Sequence, residues 1–207
     1  MEGFMPTHTL TEMTNLIADA RQLPRNEWPQ AHRAVRNWHA KSLLVPADLD
    51  GSDSEPARFD DAAVCKACLF ATLADMGFDV STLRKADAAM NQPVPVRETE
   101  HAIYSERGIE AAVAGIRRGE EWYFHLELKG SSSGVRYVIG RFSRDDSDDV
   151  SPLAAEIIAD ADVVPGERSL GRIVIPAHDV LRPLIGALDR LASEPLDMPP
   201  PPSTKGR

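Results

Sequence analysis

The apolar residues of this chain change period part-way along. Up to about residue 90 they recur every three or four positions, and over Trp122 to Lys129 they alternate with polar ones. The first spacing lays an apolar stripe on a helix and the second lays one on a face of a strand. A chain that contains both is expected to fold as a layered α+β structure.

In the first part, Leu10, Met13, Leu16 or Ile17, and Ala20 place a helix over Thr9 to Arg21, stopped by Pro24. Ala31, Ala34, Val35 and Trp38 mark a second helix over Pro29 to Ser42, with Pro29 in a first turn where a missing N–H costs nothing. Leu43 to Pro46 reads as extended, Ala47 to Pro56 as a polar loop, and Ala57-Arg58-Phe59 as a return strand. A long helix follows from Asp60 or Asp61 to Met76, its stripe formed by Cys65, Cys68, Leu69, Thr72, Leu73 and Met76. Gly77 closes it, and Ser81 is placed to cap a further helix reaching about Met90.

Pro93 and Pro95 mark a linker over residues 91–101. Beyond it, Ile109, Ala112, Val113 and Ile116 predict a helix over residues 104–118. Trp122, Phe124, Leu126 and Leu128 alternate with Tyr123, His125, Glu127 and Lys129, a half-buried strand. The Gly130–Gly134 loop joins it to a second strand, Val135 to Phe142, as a hairpin. A helix capped by Ser151-Pro152, a strand over Leu170 to Ile175 and a helix over Asp179 to Leu191 complete the order α-β-β-α-β-α. The expected organisation is thus a disordered start (1–8), a helical unit (9–90), a linker (91–101), an α+β unit (102–192) and a disordered proline-rich tail (193–207).

The formal net charge is −9, the wrong sign for coating nucleic acid, so any such contact is confined to one patch. Such a patch exists. Between residues 21 and 41 the chain carries Arg21, Arg25, Arg33, Arg36 and Lys41 against the single acid Glu27, with His32 and His39 as further donors. No run approaches the ~20 apolar residues of a membrane span. The opening MEGFMPTHTL has neither the basic start nor the apolar stretch of a signal peptide, and two cysteines make no disulfide framework. A cytoplasmic protein without membrane contact is expected.

Three stretches of residues 9–90 resemble the MerR family of winged helix-turn-helix proteins. Val35-Arg36-Asn37-Trp38-His39-Ala40-Lys41-Ser42-Leu43-Leu44-Val45-Pro46 is similar to that family's recognition helix and the start of its wing. Arg58-Phe59-Asp60-Asp61-Ala62-Ala63-Val64 resembles the wing's end and the next helix, and Gly77-Phe78 its turn between two helices. The resemblance implies a transcriptional regulator that binds double-stranded DNA. It assigns the DNA contact to Arg36, with Arg33, Asn37 and Lys41 as neighbours, Arg58 gripping a phosphate at the wing and Arg25 within the same basic segment. Trp38, standing where the family has Tyr, is expected to pack under the wing. No long heptad helix follows Met90, so the family's coiled-coil dimer and its untwisting of DNA are not carried over.

The wing loop is acidic, with Asp48, Asp50, Asp53 and Glu55, and would repel phosphates. That supports an alternative, a winged-helix adaptor that docks proteins; a phage-type DNA packaging or excision factor stands between the two. A homodimer is expected by analogy with regulators that read two half-sites. The role of residues 102–192 is left open between self-association, sensing of a small-molecule effector and binding of a protein partner. Cys65-Lys66-Ala67-Cys68 reads as two small buried hydrophobes, Asp145 to Asp149 as a solvated turn, and His125, on the polar face of its strand, and His178 as structural or surface histidines. No catalytic constellation, metal site or cofactor is expected, and so no enzyme.

Overall fold

A computed structural model of the chain describes residues 7–47, 56–99, 102–130, 136–144 and 168–193. Most of the wing loop, the acidic turn at 145–149, the helix expected from Ser151 and the chain beyond 193 lie outside the described residues. The described part is α+β, with six helices and two antiparallel sheets.

Helix α1, Leu10–Ala20, opens with a reciprocal cap: the Glu12 amide donates to Thr9 Oγ1 at 3.2 Å and the Thr9 amide to Glu12 at 2.7 Å. It ends where Gln22 takes φ 53° and the Leu23 amide reaches back to the Ala18 carbonyl at 2.9 Å. Helix α2, Trp28–Ala40, has Pro29 in its first turn and ends the same way. Ser42 there takes φ 58°, and the Leu43 amide donates to the Trp38 carbonyl at 2.9 Å. The turn between the helices is pinned by Trp28 Nε1, which donates to the Leu23 carbonyl at 3.1 Å.

Helix α3, Asp61–Asp75, is capped by Asp60, which accepts from the Ala63 amide at 2.7 Å. Its sequence shows one apolar stripe, yet every residue from Ala63 to Ala71 is buried, because helices close on it from several sides. Met76, the last member of the expected stripe, lies past the helix end and is 53% exposed. After Gly77 at φ 88°, helix α4 spans Val80–Met90. Its cap is Asp79, which accepts from the Thr82 amide at 2.8 Å, two residues before the expected Ser81.

The stretch read as a linker is a hairpin of β1, Pro93–Thr99, and β2, Ala102–Arg107. The Gly108 amide donates to the Gln92 carbonyl at 2.9 Å. Counting by twos from that pair puts Pro93 and Pro95 in the non-hydrogen-bonded positions, where a missing N–H breaks no ladder bond. Helix α5 accordingly starts at Gly108 and runs to Arg117; residues 104–107, expected as its first turn, belong to β2.

The second sheet comprises β3, Tyr123–Gly130, β4, Arg136–Ser143, and β5, Arg168–Pro176, in the order β4-β3-β5. Helix α6, Ala177–Ser193, follows directly. Phe124, Leu126, Phe142 and Ile175 form the inner face of the sheet. Helix α4 packs on β4 at Gly140, where an added Cβ would stand 2.9 Å from that of Ala89. Gly115 similarly lets α5 meet Trp122: a Cβ there would lie 2.0 Å from the indole nitrogen. Helix α6 packs on α1, α3 and α5, so its Leu181, Leu184, Ile185 and Leu188 join the same buried cluster as Met13, Val64 and Leu69. The two stretches expected on either side of residues 91–101 therefore share one core.

Candidate nucleic-acid interface

Helix α2 has two faces with different work. Val35 and Trp38 are buried at 2% and 4% exposure and anchor the helix. Trp38 meets Phe70 of α3 edge-on, with ring centroids 5.8 Å apart. It packs on α3, and the aromatic side chain against Phe59, where the loop expected as a wing returns, is His39. That imidazole stands edge-on to Phe59 at 5.3 Å and donates through Nδ1 to the Leu44 carbonyl at 3.1 Å.

On the opposite face, Arg33, Arg36 and Asn37 are exposed, and Lys41 is exposed at the helix end. Spacings of three, four and eight residues put them in one row along the helix. Arg25 is exposed in the preceding turn, its guanidinium carbon 3.9 Å from the centre of the Trp28 ring. That stacking holds the cation against the start of α2. Arg21 belongs elsewhere: it pairs with Asp75 and ties the end of α1 to the end of α3. Among the described residues, none of Arg25, Arg33, Arg36 and Lys41 is ion-paired to a carboxylate.

The loop expected as a wing is anchored at its base. The Ala47 amide donates to the Arg58 carbonyl at 2.8 Å, joining its two limbs, and Phe59 pairs with His8 through two backbone bonds of 2.8 Å. His8 thus has a fixed place although it ends the stretch expected to be disordered. Arg58 is exposed and its guanidinium reaches the Thr7 carbonyl at 3.5 Å, a weak contact that leaves it available. The interface candidates therefore lie on α2, on the turn before it and at the wing's base.

One cation near these residues was not legible in the sequence. Arg84 of α4 donates to the Lys41 carbonyl at 3.1 Å, across 43 residues of chain. No local pattern announces it, because only the packing of α4 brings it to the end of α2.

The other groups singled out by the sequence are tied into the fold. Cys65 and Cys68 are fully buried, and burial pushes both thiols up, Cys68 to about 12, so neither ionises near neutrality. His125, expected on the solvated sheet face, is only 4% exposed. Arg172 donates to its Nδ1 at 2.6 Å, so that nitrogen must accept, and Nε2–H then donates to Ser143 Oγ at 2.7 Å. A histidine donating to a serine cannot take that serine's proton, so this pairing locks β5, β3 and β4 together and does not activate Ser143. His178 is buried and donates through Nδ1 to the Trp122 carbonyl at 3.0 Å. Among the described residues no group of three His, Cys, Asp or Glu side chains converges as a metal site would require, and no helix is long and apolar enough to cross a membrane.

No protein-family model and no curated protein matches this chain.

Proposed function

We propose that the chain binds double-stranded DNA through α2 and the wing behind it, as a MerR-like winged helix-turn-helix regulator of transcription. The observation that carries this reading is the exposed row of Arg33, Arg36, Asn37 and Lys41, opposite the buried Val35 and Trp38. A helix anchored on one face and cationic on the other suits the major groove, where Arg and Asn read base edges and Lys meets phosphates. Arg36 and Asn37, mid-row, are the base-reading pair. Arg33, Lys41, Arg25 and Arg58 supply phosphate contacts on either side. Two such heads on a homodimer would read two half-sites.

Arg36→Ala separates the roles. Loss of a base contact costs ~1–3 kcal/mol and relaxes preference at one position, whereas loss of a phosphate contact weakens all sequences alike. Competition binding across single-base variants of a bound site distinguishes them, and unchanged binding by Arg36→Ala removes the assignment.

The acidic wing loop and the net charge of −9 favour one rival, an adaptor whose winged helix meets proteins. It predicts a protein complex that survives nuclease treatment, and the DNA reading predicts that captured partners are released with the nucleic acid.

A further inference from the structure

We infer that Arg84, on α4, is a phosphate contact of the same DNA interface, held at the carboxyl end of α2. This rests on the DNA-binding reading above and extends it to a helix the sequence did not implicate. The carboxyl end of a helix is a poor neighbour for phosphate. Aligned peptide dipoles leave a partial negative charge on the last carbonyls of a helix, roughly half an elementary charge. A recognition helix lying in the groove would turn that charge towards DNA phosphates.

Arg84 answers it directly. Its guanidinium donates to the carbonyl of Lys41, the residue capping α2, at 3.1 Å. One planar cation thus satisfies an unpaired helix carbonyl and sets a full positive charge beside it. Arg84 is exposed, and among the described residues no carboxylate is ion-paired with it. With Arg84 there, the end of α2 becomes cationic where the backbone alone would be anionic. Lys85, the next residue, is also exposed but lies within the field of Asp79 at the start of α4, and makes a matched control.

The test must separate a cation that touches phosphate from one that only caps a helix. Arg84→Gln removes the charge together with the cap, its amide standing two bonds short of the Lys41 carbonyl, and the salt slope separates the roles because loss of a neutral capping bond lowers affinity without changing the number of phosphates neutralised. Binding of the full chain to duplex DNA is followed by fluorescence anisotropy from low salt upwards, for wild type, Arg84→Gln, Arg84→Lys, Lys85→Ala and Arg36→Ala. One phosphate contact contributes about 0.9 to the slope of log affinity against log salt. Arg84→Gln should therefore flatten the slope by about 0.9 and weaken binding roughly eightfold at ~0.1 M salt. Arg84→Lys should restore the slope, and Lys85→Ala should keep the wild-type slope.

Arg84→Gln within twofold of wild type with the same slope, while Arg36→Ala is impaired, overturns this inference and leaves the parent reading standing. An equal loss in Lys85→Ala overturns it too, since the number of charges and not their place would then decide. No binding by wild type even at low salt removes the parent reading, and this inference with it. Thermal unfolding of each variant confirms that the folded states are being compared.

Discussion

Asp61 shows how one side chain can tie distant parts of the chain together. It stands in the first turn of α3, where a carboxylate also favours the helix dipole. Its two oxygens accept from His8 Nε2 at 3.1 Å and from Arg117 at 2.5 Å, and Arg117 goes on to Asp189 of α6 at 2.9 Å. Burial on its own would push the Asp61 carboxyl up, but His8 and Arg117 outweigh it and hold the group below the ordinary aspartate range. A carboxyl lowered in the folded state contributes stability that is full above its unfolded pKa of ~3.9. That stability is lost as pH falls through the folded value. Asp61→Asn should destabilise the protein by ~1–3 kcal/mol at neutral pH. Urea titrations at pH 7 and below pH 3 should show the gap between wild type and variant closing in acid; a gap independent of pH would show that Asp61 acts by packing alone.

At the scale of elements, the manner in which helices end shapes the interface. Ser42 takes left-handed backbone at φ 58° so that the chain can leave α2 and enter the following loop, a conformation that costs an L-residue ~1–2 kcal/mol. Ser42→Gly removes that cost but adds freedom to the unfolded chain, so a net gain of about 0.5–1 kcal/mol is expected, read as a higher urea midpoint. A fall in the midpoint would mean that the serine side chain stabilises the turn. The stop at Ser42 resembles the stop at Gln22, and neither shows in the sequence as the glycine of Gly77 does. The elements with a strong local period, α1, α2, α3, β3, β5 and α6, were all legible. The first hairpin was not, because Pro93 and Pro95 read as breakers until their register shows that neither owes the ladder a hydrogen bond. The burial of α3 on all sides escaped for another reason: a stripe reports only that one face is apolar, and the small residues Ala63, Ala67 and Ala71 that let other helices close in carry little signal. Within the candidate site the exposed row on α2 was legible from spacing and charge, whereas Arg84 and the exchange of roles between Trp38 and His39 depend on tertiary packing.

Across the whole molecule, α6 is the element that most changes the picture drawn from sequence. It comes last among the described elements and packs against α1 and α3 of the candidate DNA-binding part, and Leu184 is fully buried in the shared core. Leu184→Ala should cost ~2–5 kcal/mol. Trp38 and Trp122 lie in the two halves and are both buried, so they report on each. In chains retaining one of these tryptophans, the transitions they follow should coincide and shift together in Leu184→Ala. Separate transitions, with only the Trp122 signal moved, would mean that the halves unfold independently. A shared core also gives any partner of the later half a physical route to the helices beside α2.

The proposed role of α2 and the loop behind it is to read DNA. It is tested most directly by fluorescence-anisotropy titration of the full chain against duplex fragments from its own locus, across a series of salt concentrations and against random competitor. Saturable binding that prefers one fragment over competitor and weakens log-linearly with salt is the predicted result. Absence of binding at low salt would contradict it and would leave the exposed cations of α2 to a protein partner.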